Sequence, residues 1–140
     1  MSAACALCAR LAAEPPLWSD DRWDVRPIDG PPGVAGWTLL STRAHVPSLA
    51  ELDDASAAEL GVIVRRVHRA VRTATGAPKV YIAALAEAVP HVHVHLVPRA
   101  ADAPAGFALF DTQRAARAGE LAVDPAEAAR VAAAIAAALR

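Results

Sequence analysis

The chain of 140 residues has the length of one domain, and its 14 lysines and arginines nearly balance its 15 acidic residues. The formal net charge of −1 gives no positive field that would attract duplex nucleic acid or an anionic membrane. Hydrophobic residues make up 55% of the chain, much of it alanine, and no run reaches the roughly 18 apolar residues of a membrane span. We therefore expect one globular domain over residues 1–140 that binds neither duplex nucleic acid nor membranes.

The two cysteines of the chain, Cys5 and Cys8, lie close to an N-terminus that lacks the pattern of a signal peptide. This favours a cytoplasmic location, where both thiols would stay reduced. The spacing suits half of a zinc site better than a structural disulfide, and tetrahedral zinc needs two further ligands. Redox exchange is the alternative, but that motif usually follows a strand, and nothing strand-like precedes Cys5. The candidate partners for zinc are His45 and His91.

Alternation of apolar and polar residues predicts four strands along the chain. The first two cover residues 23–28 and 36–41, and a turn rich in proline and glycine separates them, so they would pair antiparallel. The other two cover residues 79–85 and 91–97.

Helices are predicted near the middle and at the end of the chain. The first begins at Asp54 or Ser56, with Glu59 completing a capping box, and continues to a Gly-Ala-Pro segment that ends it. The last begins after Asp124, which is an N-cap residue followed by proline. Between them and after the last strand, residues 100–123 are predicted to form a loop with some helix.

Three histidines, His91, His93 and His95, alternate with aliphatic residues in the last predicted strand and therefore share one of its faces. Neutral imidazole can act near pH 7 as nucleophile, proton donor or metal ligand, so this face indicates a site. A second option is that all three rings bind one zinc ion, but an ion held by both cysteines needs only two imidazoles in the chain. Some histidine would then remain metal-free. Arg99 ends the strand and suits either a phosphate group or a surface carboxylate.

The run from His91 to Pro98 resembles the signature of the histidine triad family. The resemblance covers about residues 5–99, and it includes the cysteine pair, Ile28 with the following aspartate, the Gly-Trp-Thr-Leu-Leu strand, and Arg-Ala-His before the long helix. It implies an α+β fold with an antiparallel sheet of about five strands, a long flanking helix and a C-terminal helix. Residues 100–140 would form the C-terminal loop and helix. It also implies a homodimer.

For function, the resemblance implies a nucleotide hydrolase similar to zinc-containing diadenosine polyphosphate hydrolases. Such a protein would cleave a dinucleoside polyphosphate, or a related conjugate of adenosine or guanosine, at the α-phosphorus. His93 would be the nucleophile that carries the nucleotide, and His95 would bind an α-phosphate oxygen. Ile28 would lie beside the base, and Asp29 would receive the ribose hydroxyls. The implied structural zinc site consists of Cys5, Cys8, His45 and His91.

Three features depart from the family pattern. The segment over residues 83–88 lacks the Asn and the glycine-rich loop that contact phosphates in many members. Glu87 stands where Gln is common, and Trp37 stands where His is frequent. We assign Glu87 and Arg99 to the nucleotide site, where Glu87 would serve the leaving group or water, although a surface role is an equal alternative.

Three alternatives to a hydrolase with His93 as its nucleophile stay open at this point. One is a phosphorylase or transferase that uses phosphate as the acceptor. Another is a non-catalytic nucleotide-binding or partner-binding module, which the missing polar loop favours. The third is a hydrolase whose nucleophile is a zinc-bound hydroxide.

Overall fold

The computed structural model describes residues 5–140, so the first four residues of the predicted domain lie outside the described part. Five strands form one sheet, and helices lie around it, which confirms the expected α+β class. Within residues 5–140, no helix combines the length and apolar character needed to cross a bilayer. The elements are α1 (Ala6–Ala13), β1 (Trp18–Ser19), β2 (Trp23–Pro27), β3 (Thr38–Thr42), α2 (Asp54–Thr75), β4 (Lys79–Ala83), β5 (His93–Arg99), α3 (Phe107–Arg117) and α4 (Pro125–Leu139), with a short 3-10 helix at Leu49–Glu51.

The strand order in the sheet is β1-β2-β3-β5-β4, and all neighbours are antiparallel. The predicted pairing of the first two strands is confirmed as the pairing of β2 with β3. The strand β1 has two residues, too few for an alternating pattern to reveal it. Across β3 and β5, Leu39 pairs with His95 and Ser41 pairs with His93. Because directly opposed residues point to the same face, these four side chains share one surface of the sheet.

The two faces of the sheet have separate apolar cores. The first is covered by α2 and α4, and its fully buried members include Leu40, Leu96 and Val67. Burying each such side chain stabilises the fold by about 1.5–3 kcal/mol. The second face is covered in part by α3, through Leu109. Since α3 covers only part of that face, the surface around the histidines remains accessible. The second core contains Ile28, Trp37, Leu39, Val97 and Leu109.

The cap of α2 differs from the sequence prediction. Asp53 is the N-cap, and its carboxylate accepts hydrogen bonds from the backbone N–H of Ser56 at 2.9 Å and from the Ser56 hydroxyl at 2.7 Å. The predicted capping box is therefore wrong, because the aspartate already occupies the cap position and Glu59 accepts from the indole of Trp23 at 3.0 Å. The predicted cap of α4 is confirmed, since Asp124 accepts from a backbone N–H at 2.9 Å.

A buried ion pair attaches α1 to the sheet. In β2, the guanidinium of Arg26 donates to both carboxylate oxygens of Asp24, at 2.6 and 2.9 Å. The same guanidinium donates to the backbone carbonyl of Arg10 in α1 at 3.0 Å. Because Arg26 is 1% exposed and Asp24 is 3% exposed, their pairing is needed to keep either charge in the interior. The contact holds α1 beside the end of β2.

Candidate functional site

Four side chains from separate parts of the chain converge beside α1, namely Cys5, Cys8, His45 and His91, and their ligand atoms all lie within 4.8 Å of one another. The sulfurs of both cysteines lie 3.5 Å from Nδ1 of His91, and Sγ of Cys8 lies 3.5 Å from Nδ1 of His45. In a tetrahedral zinc site, sulfur and nitrogen ligands are separated by about 3.5 Å, as follows from bond lengths of about 2.3 and 2.0 Å. The predicted ligand set therefore fits zinc.

The ring of His91 is already oriented for metal binding. It is fully buried, and its Nε2 lies 2.7 Å from the backbone carbonyl of Thr42. A carbonyl oxygen can only accept, so Nε2 carries the proton and Nδ1 presents its lone pair to the cysteines. Burial lowers the pKa of His91, which favours the neutral form that a ligand must have. A set of four protein ligands is typical of a structural zinc site, because catalytic sites keep one position open.

A cleft of about 340 Å³ lies on the open face of the sheet, and its volume is in the range of small-molecule sites. Both remaining triad histidines, His93 and His95, line it. Three residues assigned to nucleotide binding from the sequence, Ile28, Asp29 and Glu87, also line it. The other lining residues are Ala6, Leu7 and Arg10 of α1, Leu39 of β3, Leu85, Ala86, Ala88 and Val89 of the loop before β5, and Arg117 of α3.

His93 has a defined proton arrangement. Its Nδ1 lies 2.6 Å from the backbone carbonyl of His91, which can only accept a hydrogen bond. In the neutral ring the proton is therefore on Nδ1, and Nε2 keeps its lone pair. The ring is half-buried and lines the cleft. An imidazole nitrogen with a lone pair beside a ligand cleft can act as a nucleophile.

His95 lies next to His93, with 5.2 Å between the ring centroids. Its Nδ1 lies 3.1 Å from Nε1 of Trp37. Burial is the main reason that the pKa of His95 falls to about 4, and the charges of His93 and Arg117 lower it further. The ring is therefore neutral near pH 7.

Arg99 lies outside the cleft lining. Its Nε donates to the backbone carbonyl of Pro104 at 3.2 Å, and in the sheet it pairs with Lys79. A strand rises about 3.3 Å per residue, so the four steps from His95 to Arg99 correspond to about 13 Å. Its closeness to the histidines in sequence is therefore not closeness in space.

Two arginines that the sequence analysis did not assign, Arg10 and Arg117, line the cleft. The Nε of Arg10 lies 2.7 Å from the Glu14 carboxylate and 3.7 Å from that of Asp29. Arg10 follows the cysteine pair by one helical half-turn, a weak signal that could have identified it. Arg117 lies in a segment where the sequence predicts mainly loop, so no pattern indicated its position. These residues supply positive charge where the loop before β5 supplies only apolar side chains and one carboxylate.

A larger cavity, of about 410 Å³, lies between α2 and the end of α4. It is lined by Arg65, Arg66 and Arg69, and no histidine, cysteine or acidic side chain is among its lining residues within the described chain. Arg66 donates to the backbone carbonyl of Leu139 and lies 4.4 Å from the ring centroid of Trp18. At least one of these arginines therefore has a packing role.

Comparisons with known proteins agree with this architecture. The structure is similar to that of a Hit-like protein involved in cell-cycle regulation from Bartonella henselae, with a TM-score of 0.74, 19% identity, and coverage of 99% of this chain and 98% of that chain. It is also similar to a Zn-bound histidine triad family protein from Mycobacterium smegmatis, with a TM-score of 0.69, 23% identity, and coverage of 96% and 94%. No match is found among the curated proteins. The likeness to these two structures establishes the fold.

A third solved structure shows the same likeness. The hypothetical histidine triad nucleotide-binding protein from Sulfolobus tokodaii strain7 has a TM-score of 0.72 and 19% identity, with coverage of 96% of this chain and 91% of that chain. In sequence, the HIT domain family model matches residues 26–102, which is more than half of the chain and includes all three triad histidines. The chain therefore belongs to the HIT domain family.

Proposed function

We propose that the protein is a nucleotide hydrolase that cleaves a dinucleoside polyphosphate or a related nucleotide conjugate at the α-phosphorus. The observation that carries the proposal is the 2.6 Å hydrogen bond from Nδ1 of His93 to the carbonyl of His91. It leaves Nε2 of His93 with a lone pair in a cleft large enough for a nucleotide. Membership of the HIT domain family supports the same class of substrate.

In the first step, Nε2 of His93 attacks the α-phosphorus. A phosphorus–nitrogen bond forms while the bond to the leaving group breaks, and solvent supplies the proton that the leaving group takes up. In the second step, water attacks the same phosphorus and gives up a proton to solvent, the phosphorus–nitrogen bond breaks, nucleoside monophosphate leaves, and neutral His93 is restored. Two displacements of this kind replace one more difficult displacement. Charge develops on the phosphoryl oxygens in both steps, so a donor such as His95 would accelerate them.

The cleft offers groups for the other parts of a nucleotide. Ile28 gives an apolar surface for a purine base, and the Asp29 carboxylate can accept hydrogen bonds from ribose hydroxyls. Arg10 and Arg117 provide positive charge for phosphate oxygens. Glu87 lines the same cleft, where its carboxylate suits the proton of a water or leaving group better than a phosphate. We also propose that the protein is a cytoplasmic homodimer, which rests on the sequence analysis alone.

The metal cluster has a different part in this proposal. Zinc would be held by Cys5, Cys8, His45 and His91, and it would supply a crosslink between α1 and the residues that precede β5. Because four protein ligands complete a tetrahedron, the cluster favours a structural role over a zinc-bound hydroxide as nucleophile.

One observation favours a second candidate, a non-catalytic nucleotide-binding module. The loop before β5 presents Leu85, Ala86, Ala88 and Val89 to the cleft, so it lacks side chains that would stabilise a transferring phosphoryl group. Such a module would bind nucleoside monophosphates with the same residues but would turn over no polyphosphate.

Product release from a panel of dinucleoside polyphosphates and nucleoside phosphoramidates tests these candidates. We expect the wild-type protein to release nucleoside monophosphate, and His93→Ala to lose at least about a thousandfold in rate. His68→Ala is the matched control, because this half-buried histidine of α2 is not in the cleft lining. Full turnover by His93→Ala would overturn the mechanism, and monophosphate binding without turnover of any substrate would favour the module. Nucleoside diphosphate formed with added phosphate would identify a phosphorylase.

A further inference from the structure

We infer that Trp37 is a positioning residue that fixes His95 in the tautomer with its proton on Nε2. In that form His95 is a neutral hydrogen-bond donor toward the cleft. The role of this donor in binding a phosphoryl oxygen rests on the proposed function, whereas the tautomer itself does not.

The geometry of one hydrogen bond carries the inference. The indole Nε1 of Trp37 lies 3.1 Å from Nδ1 of His95. An indole N–H can only donate, so Nδ1 of His95 must present its lone pair to it. A neutral imidazole carries one proton, and that proton is then on Nε2. This is the opposite arrangement from His93, whose proton is on Nδ1 because the carbonyl of His91 accepts it.

The indole is held in place by its surroundings. Trp37 is 3% exposed, and Phe110 of α3 packs edge-on against it with 5.6 Å between ring centroids. It belongs to the apolar cluster with Leu39 and Val97 of the sheet. A buried indole in such a cluster cannot turn its N–H away from His95 without disturbing the core. The packing therefore holds the indole N–H toward Nδ1 of His95.

The charged groups around His95 also favour its neutral form. Its strand neighbour His93 and Arg117 of α3 both oppose a positive charge on the ring. Protonation would also place an N–H of His95 directly against the N–H of Trp37. The acidic groups of the cleft, Asp29 and Glu87, are not among the groups that shift its titration. Two adjacent rings thus have complementary roles, with a lone pair on His93 and a donor on His95.

Nitrogen-15 NMR of the histidine rings measures the tautomer directly and requires no substrate. The resonance of His95 is assigned by its disappearance in His95→Gln. In the wild-type protein we expect the pattern of a neutral ring protonated on Nε2 between about pH 5.5 and 8. In Trp37→Phe we expect the tautomer ratio to move toward protonation on Nδ1 by roughly fivefold, the factor that one neutral hydrogen bond gives.

Two further variants distinguish the loss of the indole N–H of Trp37 from the loss of its packing. Replacement of Trp37 by 3-benzothienylalanine keeps the ring shape and removes only the N–H, and it should change the tautomer ratio as Trp37→Phe does. Trp23→Phe is the matched control, because Trp23 is also buried and donates its indole N–H, but to Glu59. Trp23→Phe should leave the tautomer ratio of His95 unchanged.

Either of two results would overturn the inference: a wild-type His95 protonated on Nδ1, or a tautomer ratio that the benzothienyl replacement does not change. Neither result depends on turnover. If the tautomers are as expected and no substrate is cleaved, the proposed function fails while the inference stands.

Discussion

Gln113 in α3 accepts a hydrogen bond from the backbone N–H of Gly33 at 2.8 Å, which ties the segment after the histidine strand to a loop that borders the cleft. Its amide nitrogen donates in turn to the carbonyl of Pro31 at 3.0 Å. A Cβ on Gly33 would lie 2.4 Å from the backbone carbon of Thr112, so this close approach requires glycine. Arg117 follows Gln113 by one helical turn, and the contact therefore brings its charge to the cleft.

Gly33→Ala should destabilise the protein by about 1–3 kcal/mol, because α3 has to move away from the loop or the loop has to distort. Urea unfolding measures this change. The matched control is Gly61→Ala in α2, where an added Cβ meets nothing within 4 Å. Because alanine favours the helix, that control should stabilise the protein by up to about 1 kcal/mol. Equal effects of the two substitutions would contradict the role of Gly33.

Arg117→Gln should weaken the binding of a nucleoside monophosphate by roughly tenfold, since a hydrogen bond to a charged group contributes about 1.5 kcal/mol. Calorimetry with AMP and GMP measures the affinity. Arg99→Gln serves as the control, because Arg99 lies outside the cleft lining and should have no effect. If Arg99→Gln weakens binding and Arg117→Gln does not, the sequence assignment is right and the structural one is wrong.

The low pKa of His95, about 4 compared with an ordinary value of 6.5, links stability to pH. Between these values the unfolded chain binds a proton at His95 that the folded protein does not bind. Stability that is present above about pH 6.5 is therefore lost as the pH falls toward 4. The shift corresponds to a loss on the order of 3 kcal/mol.

Denaturant unfolding of the wild-type protein and of His95→Gln at several pH values isolates this contribution. Both proteins keep the metal cluster, so any acid effect on metal binding is common to the two. The free energy of unfolding should depend more steeply on pH in the wild-type protein than in His95→Gln. Parallel pH dependences would show that His95 titrates normally.

Zinc binding should stabilise the protein through the Cys5, Cys8, His45 and His91 cluster. At a zinc concentration a thousand times the Kd, the stabilisation is about 4 kcal/mol, or roughly 14 °C in Tm for a chain of this size. Elemental analysis should find one zinc per chain in the wild-type protein and in His68→Gln. Cys8→Ser should lose both the metal and the shift in Tm on chelation. A full complement of zinc in Cys8→Ser would refute this ligand set.

Much of the fold follows from local patterns in the sequence. The long helix could be predicted because its apolar spacing and the glycine at its C-terminal end are strong signals. It begins at Asp54, one of the two predicted starting residues. The predicted capping box is wrong, since three polar residues compete near that terminus and only the backbone geometry selects Asp53 as the cap. The helix α3 was predicted only as loop with some helix, because it is stabilised by Gln113 and Leu109, whose partners are distant in sequence.

In the site, too, residues on one strand could be predicted from the sequence, whereas contacts that depend on tertiary packing could not. The histidines of β5 could be predicted because a period of two places His93 and His95 on one face. Arg99 was assigned from its place in the same strand, but distance along the strand separates it from the cleft. Arg117 reaches the cleft only through the packing of α3, which no local pattern encodes. The hydrogen bond between Trp37 and His95 likewise depends on tertiary packing.

The most direct test of the nucleotidyl-His93 mechanism is mass spectrometry of the protein quenched under alkaline conditions during turnover of a dinucleoside polyphosphate. We expect a nucleoside monophosphate adduct on His93 that is stable in base and lost in acid, as a phosphorus–nitrogen bond is. The adduct should be absent from His93→Ala and present in His68→Ala. Turnover by the wild-type protein with no adduct at any quench time, or with an adduct on another residue, would contradict it.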